Sequence, residues 1–371
     1  MRVLVVNAGS SSLKLDLLDS DDQTLDAREL AAPSAVVDEH ELHAALADGL
    51  GDADVVGHRI VHGGVRFRTA VRVDRAVESA LRELVDLAPL HQPKSLAALD
   101  VVSAALPEIP AVASFDTAFH ATMPRSAATY ALPSAWRERW QIRRYGFHGL
   151  SHSWVARRVP ELVGRQASEV RLVSCHLGAG ASLCAISNGQ SIDTTMGFTP
   201  LEGLVMATRS GSVDPGLVLW LLERGKLTSS ELAHALEHES GLKGLAGEAD
   251  MRVVESRASG GDPAAGLALD VYAHRLRAGI AAMAAALGGI DVLSFTGGIG
   301  EHSAEIRARA IDGLGFLGFA LDDGLNRASV GEDDIDISAS AARSRTLVIK
   351  AREDLEIARQ ARAVMGGVEP D

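Results

Sequence analysis

Short apolar runs alternate with longer stretches of helical spacing along the whole chain, and that alternation predicts an α/β protein. Val3–Val6 is continuously apolar and reads as a buried strand. Small polar residues follow at Asn7–Ser12, and Leu13–Leu18 alternates as a hairpin partner would. Val55–Val61, Ala111–Phe115, Val170–Cys175, Ser182–Ile186, Val292–Thr296 and Leu347–Lys350 read as further strands. Helical spacing marks Val77–Leu87, Leu217–Leu222, the Ala-rich Leu267–Leu287, a stretch from about His302 to Leu314, and the end of the chain from about Glu353. From Ser20 to about Asp54 the pattern is acidic and weak, and little is assigned there.

A shift of 170 residues places Val3 on Val173, Ser12 on Ser182 and Leu13 on Leu183. Both segments read as strand, small-residue turn, strand. A chain of 371 residues exceeds what one hydrophobic core usually spans. The expectation is therefore two related domains facing each other across a cleft, a common place for a ligand.

Composition narrows the function classes. Hydrophobic residues at 47% and charged residues at 23% are ordinary for a packed globular chain. No apolar run reaches the ~18 residues needed to cross a bilayer. The opening Met1–Val6 resembles the start of a signal peptide, but Asn7-Ala8-Gly9-Ser10 breaks it. A net charge of −13 argues against nucleic acid or an anionic membrane as the main partner. Cys175 and Cys184, the two cysteines, lack metal-site spacing and read as small core residues of a reducing cytoplasm.

Three small-residue turns follow strands, at Asn7–Ser12, His176–Ser182 and Gly297–Gly300. Glycine lets backbone N–H groups approach a ligand closely, and turn amides aim donors at phosphate oxygens. The turn at Gly297–Gly300 also opens a helix, whose N-terminal donors favour an anion. One such turn usually just reverses the chain; three, each near Ser, Lys or His, favour phosphate binding. The P-loop pattern is missing, and so are the dinucleotide fingerprint and the protein-kinase motifs.

Charged residues stand beside glycines. Arg59 lies in the apolar segment Gly57–Gly64, Asp116 ends the strand Ala111–Phe115, and Arg209 precedes Ser210-Gly211. His148 and His152 are four apart around Gly149, which disfavours a helical zinc pair. An Arg can pack its stem with its head in water, and an Asp can simply cap a turn. Two Arg, a His and an Asp beside glycine turns resemble a clamp for a migrating phosphoryl group.

At these residues the chain resembles the acetate kinase family, within the sugar kinase/Hsp70/actin superfamily. The motifs run nearly end to end: Asn7–Lys14, Gly57–Gly64, Leu90–Pro93, Phe115–His120, Tyr145–His152, His176–Ser182, Thr199–Gly203, Thr208–Gly211, Thr296–Glu301 and Glu353–Leu355. The resemblance implies two duplicated actin/Hsp70-like (ribonuclease H-like) α/β domains. The first would comprise residues 1–118 with 354–371, its last helix returning to it, and the second residues 119–353. It also implies a cytoplasmic homodimer, Mg2+ (with Mn2+ as an alternative), and in-line transfer of the γ-phosphoryl group of ATP to acetate without a phosphoenzyme. Asp116, His148, Arg209 and Arg59 would serve the transfer step. Arg59, Val61, Leu90, His91, Phe147 and Pro200 would receive the acid. Ser12, Lys14, His176, Leu177, Gly178, Ala179, Gly180, Asp250, Met251, Arg252, Gly297, Gly298, Ile299, Gly300 and Glu301 would contact the nucleotide. Asn7 and Glu353 would stand near the metal.

The chemistry suits these residue types. A carboxylate approaching a γ-phosphate sets like charges against each other, and guanidinium groups with a divalent cation offset that repulsion. The acid is already ionised at pH 7, so Asp116 is expected to orient a partner or the metal rather than abstract a proton. The chain departs from the family pattern at Ala179, usually Asn; at Ser212, usually Asp; at His302, usually Asn; and at Ala351-Arg352, usually Thr-Asn or Thr-Asp. It is also shorter than most members, in the weakly patterned stretch after Asp19. These departures leave open a preference for propionate or butyrate. A nucleotide-binding module without acid transfer is the reading from another class.

Overall fold

The computed structural model describes residues 1–9, 12–31, 39–87, 92–329 and 333–368. The chain divides into two compact units: Met1–Ala121 with Phe147–Trp154 and Arg352–Asp371, and Thr122–Gly146 with Val155–Ala351.

In the first unit β1 (Val3–Ala8), β2 (Ser12–Leu18), β3 (Thr24–Ala31), β4 (Val55–Ile60), β5 (Val71–Arg72) and β6 (Ala111–Phe115) form one sheet in the order β3-β2-β1-β4-β6-β5. β1, β4 and β6 run parallel, and the outer strands are antiparallel to their neighbours. Successive side chains of a strand point to opposite faces, so the apolar β1 must be covered on both. Leu4 and Val6 pack with Leu13, Leu15, Leu42 and Val102 on one face, where the helix Gln92–Ala105 lies. Val3 and Val5 pack with Val55, Val112, Ile357 and Ala361 on the other, under the returning C-terminal helix Glu353–Met365. Gly57 makes that second contact close: a Cβ there would stand 2.7 Å from Ile357 Cγ2.

The second unit repeats the plan. β7 (Leu172–Leu177), β8 (Ala181–Ser187), β9 (Gln190–Thr194), β10 (Val292–Thr296), β11 (Ile335–Asp336) and β12 (Arg345–Val348) lie in the order β11-β12-β10-β7-β8-β9. Read from β9, this is the first sheet strand for strand, with β7, β10 and β12 parallel. The 170-residue repeat is thus a repeat of structure: both hairpins, β1–β2 and β7–β8, open their sheet. The 24-residue helix Pro263–Ala286 starts where Asp262 accepts from the N–H groups of Ala264 and Ala265 and Pro263 fills the first turn.

Several elements differ from the sequence expectation. β3 and the helix Glu39–Ala45 lie in the stretch left unassigned. β3 is an exposed edge strand, so it lacks the alternation that reveals half-buried strands. The helix expected from about His302 to Leu314 runs over Ala304–Ile311, and the difference lies in the turn expected before it. Gly297–His302 is itself helical, and Ser303 then caps Ala304–Ile311 by accepting from the N–H of Ile306 at 2.9 Å.

Candidate active site

The parallel strands of the first unit deliver charge at their C-terminal ends, the usual place for function in open α/β sheets. β1 supplies Asn7, β4 supplies Arg59, and Asp116 follows β6, with its N–H donating to Ile60 C=O at 3.0 Å. The returning helix supplies Glu353 at its first position. All four meet at one guanidinium. Arg59 Nε donates to the two Asp116 oxygens at 3.1 and 3.2 Å, and Nη2 to Asp116 Oδ2 at 2.7 Å. Its Nη1 donates to Asn7 Oδ1 at 3.1 Å and lies 3.3 Å from Glu353 Oε2. Such a fork-to-fork pair fixes geometry as well as charge.

Burial governs the electrostatics. It pushes the Asp116 carboxyl up in pKa, and the Arg59 guanidinium works against that. Burial would also lower the pKa of Arg59, but Asp116 and Glu353 more than offset it, so Arg59 stays protonated at every physiological pH. His58, next along β4, is 2% exposed; burial lowers its pKa to about 3, so the ring is neutral.

The His148 backbone is fixed by its own conformation and by the residue that follows it. It sits in the left-handed region at φ 56°, uncommon for a residue with a Cβ. Gly149 N–H donates to Asp116 C=O at 2.8 Å, and a Cβ on Gly149 would collide with that carbonyl. Glycine is required there, and the contact ties the His148 backbone to Asp116. Phe147 is buried, with the His62 ring edge-on at 5.6 Å and His120 Nε2 3.0 Å from its carbonyl. Val61 is half-buried in the same unit. Leu90 and His91 lie outside the described residues. Ser12 donates to Glu29 Oε1 at 2.6 Å, and Lys14 stands exposed opposite Asn7, on the same sheet face.

The second unit holds the turns. His176 and Leu177 end β7, and Gly178 N–H donates to Gly180 C=O across Ala179 at 2.9 Å. Ala179 is exposed, and its carbonyl accepts from Ala207 N–H at 3.1 Å, joining this turn to the segment that leads to Arg209. Arg209 donates through Nη1 to the carbonyl of half-buried Pro200 at 3.2 Å. Gly297 has φ 78°, and a Cβ on it would approach Leu177 C=O at 2.9 Å, so β10 can leave beside β7 only through glycine. Gly298 faces open space, Ile299 continues the helix and Gly300 is buried. Glu301 Oε1 accepts from Gly297 N–H at 2.8 Å and Ala351 N–H at 3.0 Å, so its carboxylate already occupies that helix start. Asp250 caps the helix Met251–Ser259; Met251 is buried, and the exposed Arg252 folds back onto Asp250 at 2.5 Å.

Sequence reading missed some polar residues that organise this unit. Arg307 is fully buried and donates to Gly300 C=O at 2.8 Å and Glu301 C=O at 2.9 Å. Arg144, Glu202 and Tyr130 form a second group. Glu202 lies in the motif Thr199–Gly203 and Arg144 directly precedes Tyr145–His152, but no local spacing joins residues this far apart in sequence. Among the described residues no group of three or more His, Cys, Asp or Glu forms a ready metal site. No helix among them is long and apolar enough to cross a membrane.

Two sheets of one topology, with turn glycines and paired charges at the strand ends, define a duplicated two-domain α/β protein. The acetokinase family model matches residues 31–359, and the chain belongs to that family. It is 40% identical to an acetate kinase of Acetivibrio thermocellus, over 97% of this chain and 98% of that one. The solved acetate kinase of Porphyromonas gingivalis superposes with a TM-score of 0.90 at 33% identity, covering 98% of this chain and 99% of its own. A solved propionate kinase of Francisella tularensis gives the same TM-score, identity and coverage. The family makes this chain a kinase that uses ATP.

Proposed function

We propose that this kinase transfers the γ-phosphoryl group of ATP to acetate. One acetate oxygen would bond to the γ-phosphorus as the bond to the β,γ-bridging oxygen breaks, giving acetyl phosphate and ADP. The observation that carries this reading is the Arg59 guanidinium held by Asp116, Asn7 and Glu353 at the ends of β1, β4 and β6. A cation fixed from one side presents a preorganised field to two repelling anions. Asp116 fits an orienting role, because both its oxygens are engaged by Arg59. Arg209, buried enough that its pKa falls, would meet the phosphate, and His148 the equatorial oxygens. Val61, Leu90, His91, Phe147 and Pro200 would receive the acid. Ser12, Lys14, the turns His176–Gly180 and Gly297–Glu301, and Asp250–Arg252 would hold the nucleotide.

Asn7 Oδ1 and Glu353 Oε2 converge on one point, the Arg59 Nη1, at 3.1 and 3.3 Å. They are hard oxygen donors of the kind Mg2+ takes alongside water and phosphate, so these two residues would hold it. Bound with ATP, the ion would supply charge neutralisation at the β- and γ-phosphates. A homodimer is supported by the helix Pro215–Glu223, which buries none of its side chains and exposes Leu217, Leu219 and Trp220. A cytoplasmic location suits the buried thiols of Cys175 and Cys184, which are not joined in a disulfide.

The test is ADP formation from Mg-ATP with acetate, propionate, butyrate or no acid, trapping acyl phosphate with hydroxylamine. Hydroxamate highest with acetate is expected. A second reading, propionate preference, is favoured by the equal likeness to the propionate kinase. One methylene changes discrimination by only ~1–3 kcal/mol, so hydroxamate highest with propionate would keep the mechanism and change the substrate. ADP without hydroxamate would sink both.

A further inference from the structure

We propose that Tyr130, Glu202 and Arg144 are positioning residues that hold the segment carrying Pro200 and Arg209, and so set acid binding and the transfer step rather than the affinity for ATP. The proposal rests on the phosphotransfer reading above.

Arg144 gathers four acceptors. Its Nη1 donates to three consecutive carbonyls, of Thr194 at 3.2 Å, Thr195 at 3.1 Å and Met196 at 3.0 Å. Its Nη2 donates to Glu202 Oε1 at 2.7 Å. The other Glu202 oxygen accepts from the Tyr130 hydroxyl, and that hydroxyl oxygen accepts from Phe198 N–H at 2.9 Å. The Arg144 guanidinium lies 5.5 Å from the Tyr130 ring centre, which adds a cation–π contact. Gly197 passes through the middle, where a Cβ would collide with both the Glu202 carboxylate and the Tyr130 hydroxyl. The network therefore grips the chain from Thr194 to Phe198 and again at Glu202.

The gripped segment bears Arg209 at two points. Pro200, two residues before Glu202, gives its carbonyl to Arg209 Nη1 at 3.2 Å. Gly203, one residue after it, exchanges bonds with Ser212: Gly203 N–H to Ser212 Oγ at 3.1 Å, and Ser212 N–H to Gly203 C=O at 3.0 Å. Glu202 stands between these anchors. Surface ion pairs usually contribute little. This one differs because Arg144 is only 18% exposed, and Arg144 and Tyr130 each bond backbone as well as the Glu202 carboxylate. The serine where the family usually has aspartate also gains a role, as Ser212 closes the second anchor.

The experiment compares Glu202→Gln, Arg144→Lys and Tyr130→Phe with the parent chain. Steady-state kinetics are followed by hydroxamate, and amide hydrogen exchange is read over peptides from Thr194 to Ser212. Loosening a positioned group by about 1 Å can cost ~100-fold. Expected are a kcat/KM for the acid lower by about 10- to 100-fold, a KM for ATP within about threefold of the parent, and faster exchange confined to that segment. Arg144→Lys, which keeps charge but loses the fork, should fall between Glu202→Gln and the parent. Unchanged exchange in all three variants, or ATP and acid constants worsening together with a falling Tm, would overturn the proposal. Tyr130→Phe removes one hydroxyl, so it keeps the question answerable if a charge variant fails to fold. Should the parent chain itself give no hydroxamate with any acid, the phosphotransfer reading fails, and the exchange pattern still decides the positioning.

Discussion

The two units share one sheet and differ in what its strand ends carry. In the first, β1, β4 and the end of β6 bring Asn7, Arg59 and Asp116 together, and Glu353 joins them. In the second, the equivalent strands β7 and β10 end in His176-Leu177 and in Thr296, with the glycine turn Gly178–Gly180 after one and the glycine-rich helix Gly297–His302 after the other. Strand order makes the C-terminal ends converge in both. Side-chain choice then makes one convergence a charged clamp and the other a set of backbone donors. The cost falls differently too. The first unit's strand ends carry ionisable groups that must stay paired, whereas the second unit's β10 leaves through Gly297, which admits no side chain.

Arg59→Met should break this comparison most strongly. It removes the cation that Asp116 and Glu353 face, and breaking a buried pair costs about 3–5 kcal/mol. Urea melts should show the loss in far-UV circular dichroism ahead of tryptophan fluorescence. Trp136, Trp140 and Trp220 lie in the second unit and only Trp154 in the first. Coincident transitions would mean the units do not melt separately. Asp116→Asn keeps the shape but weakens the grip on Arg59. A drop of about 10²- to 10³-fold in turnover is expected by analogy with oxyanion donors. Near-parent turnover with unaltered Mg2+ dependence would remove Asp116 from the site.

The pH response should separate the units. His58 and His62 have pKa values lowered by burial to about 3 and about 4 from 6.5, so the unfolded chain binds their protons first. Stability from these groups is complete above pH 6.5 and is lost as pH falls, by about 3 kcal/mol at pH 4 for His58 alone. His58→Leu should flatten that acid limb in a stability–pH profile. On the alkaline side the second unit is exposed: burial pushes Cys175 and Cys184 up from 9.0 and Tyr272 up from 10.0, so stability falls as pH rises above about 9.

The smallest contrast lies between two glycines. A Cβ at Gly57 meets Ile357 Cγ2 and one at Gly279 meets Leu183 Cδ1, each at 2.7 Å. Ile357 is β-branched and stiff, while Leu183 offers the far end of a flexible side chain. Gly57→Ala should cost about 1–3 kcal/mol and Gly279→Ala clearly less, judged by midpoints of thermal melts. Equal losses would show that the second sheet is packed as rigidly as the first.

Much of this was legible in the sequence, for reasons tied to particular residues. Val3–Val6, Ala111–Phe115 and Val292–Thr296 are buried on both faces, so their apolar runs marked them without help from the rest of the chain. The glycine turns and the motif resemblance named Arg59, Asp116 and His148 as candidates. β3 escaped because an exposed edge strand needs no apolar face, and the helix Gly297–His302 escaped because its glycines read as a turn.

Local pattern by itself determined the element types, the duplication and the residues worth watching, because burial on a strand or helix leaves a period in the chain. Only the tertiary structure decided that Arg59 is shared by Asp116, Asn7 and Glu353, that Glu301 turns inward to cap Gly297, and that Arg144 reaches Glu202. These contacts join residues that the fold, and no local period, brings within hydrogen-bond distance.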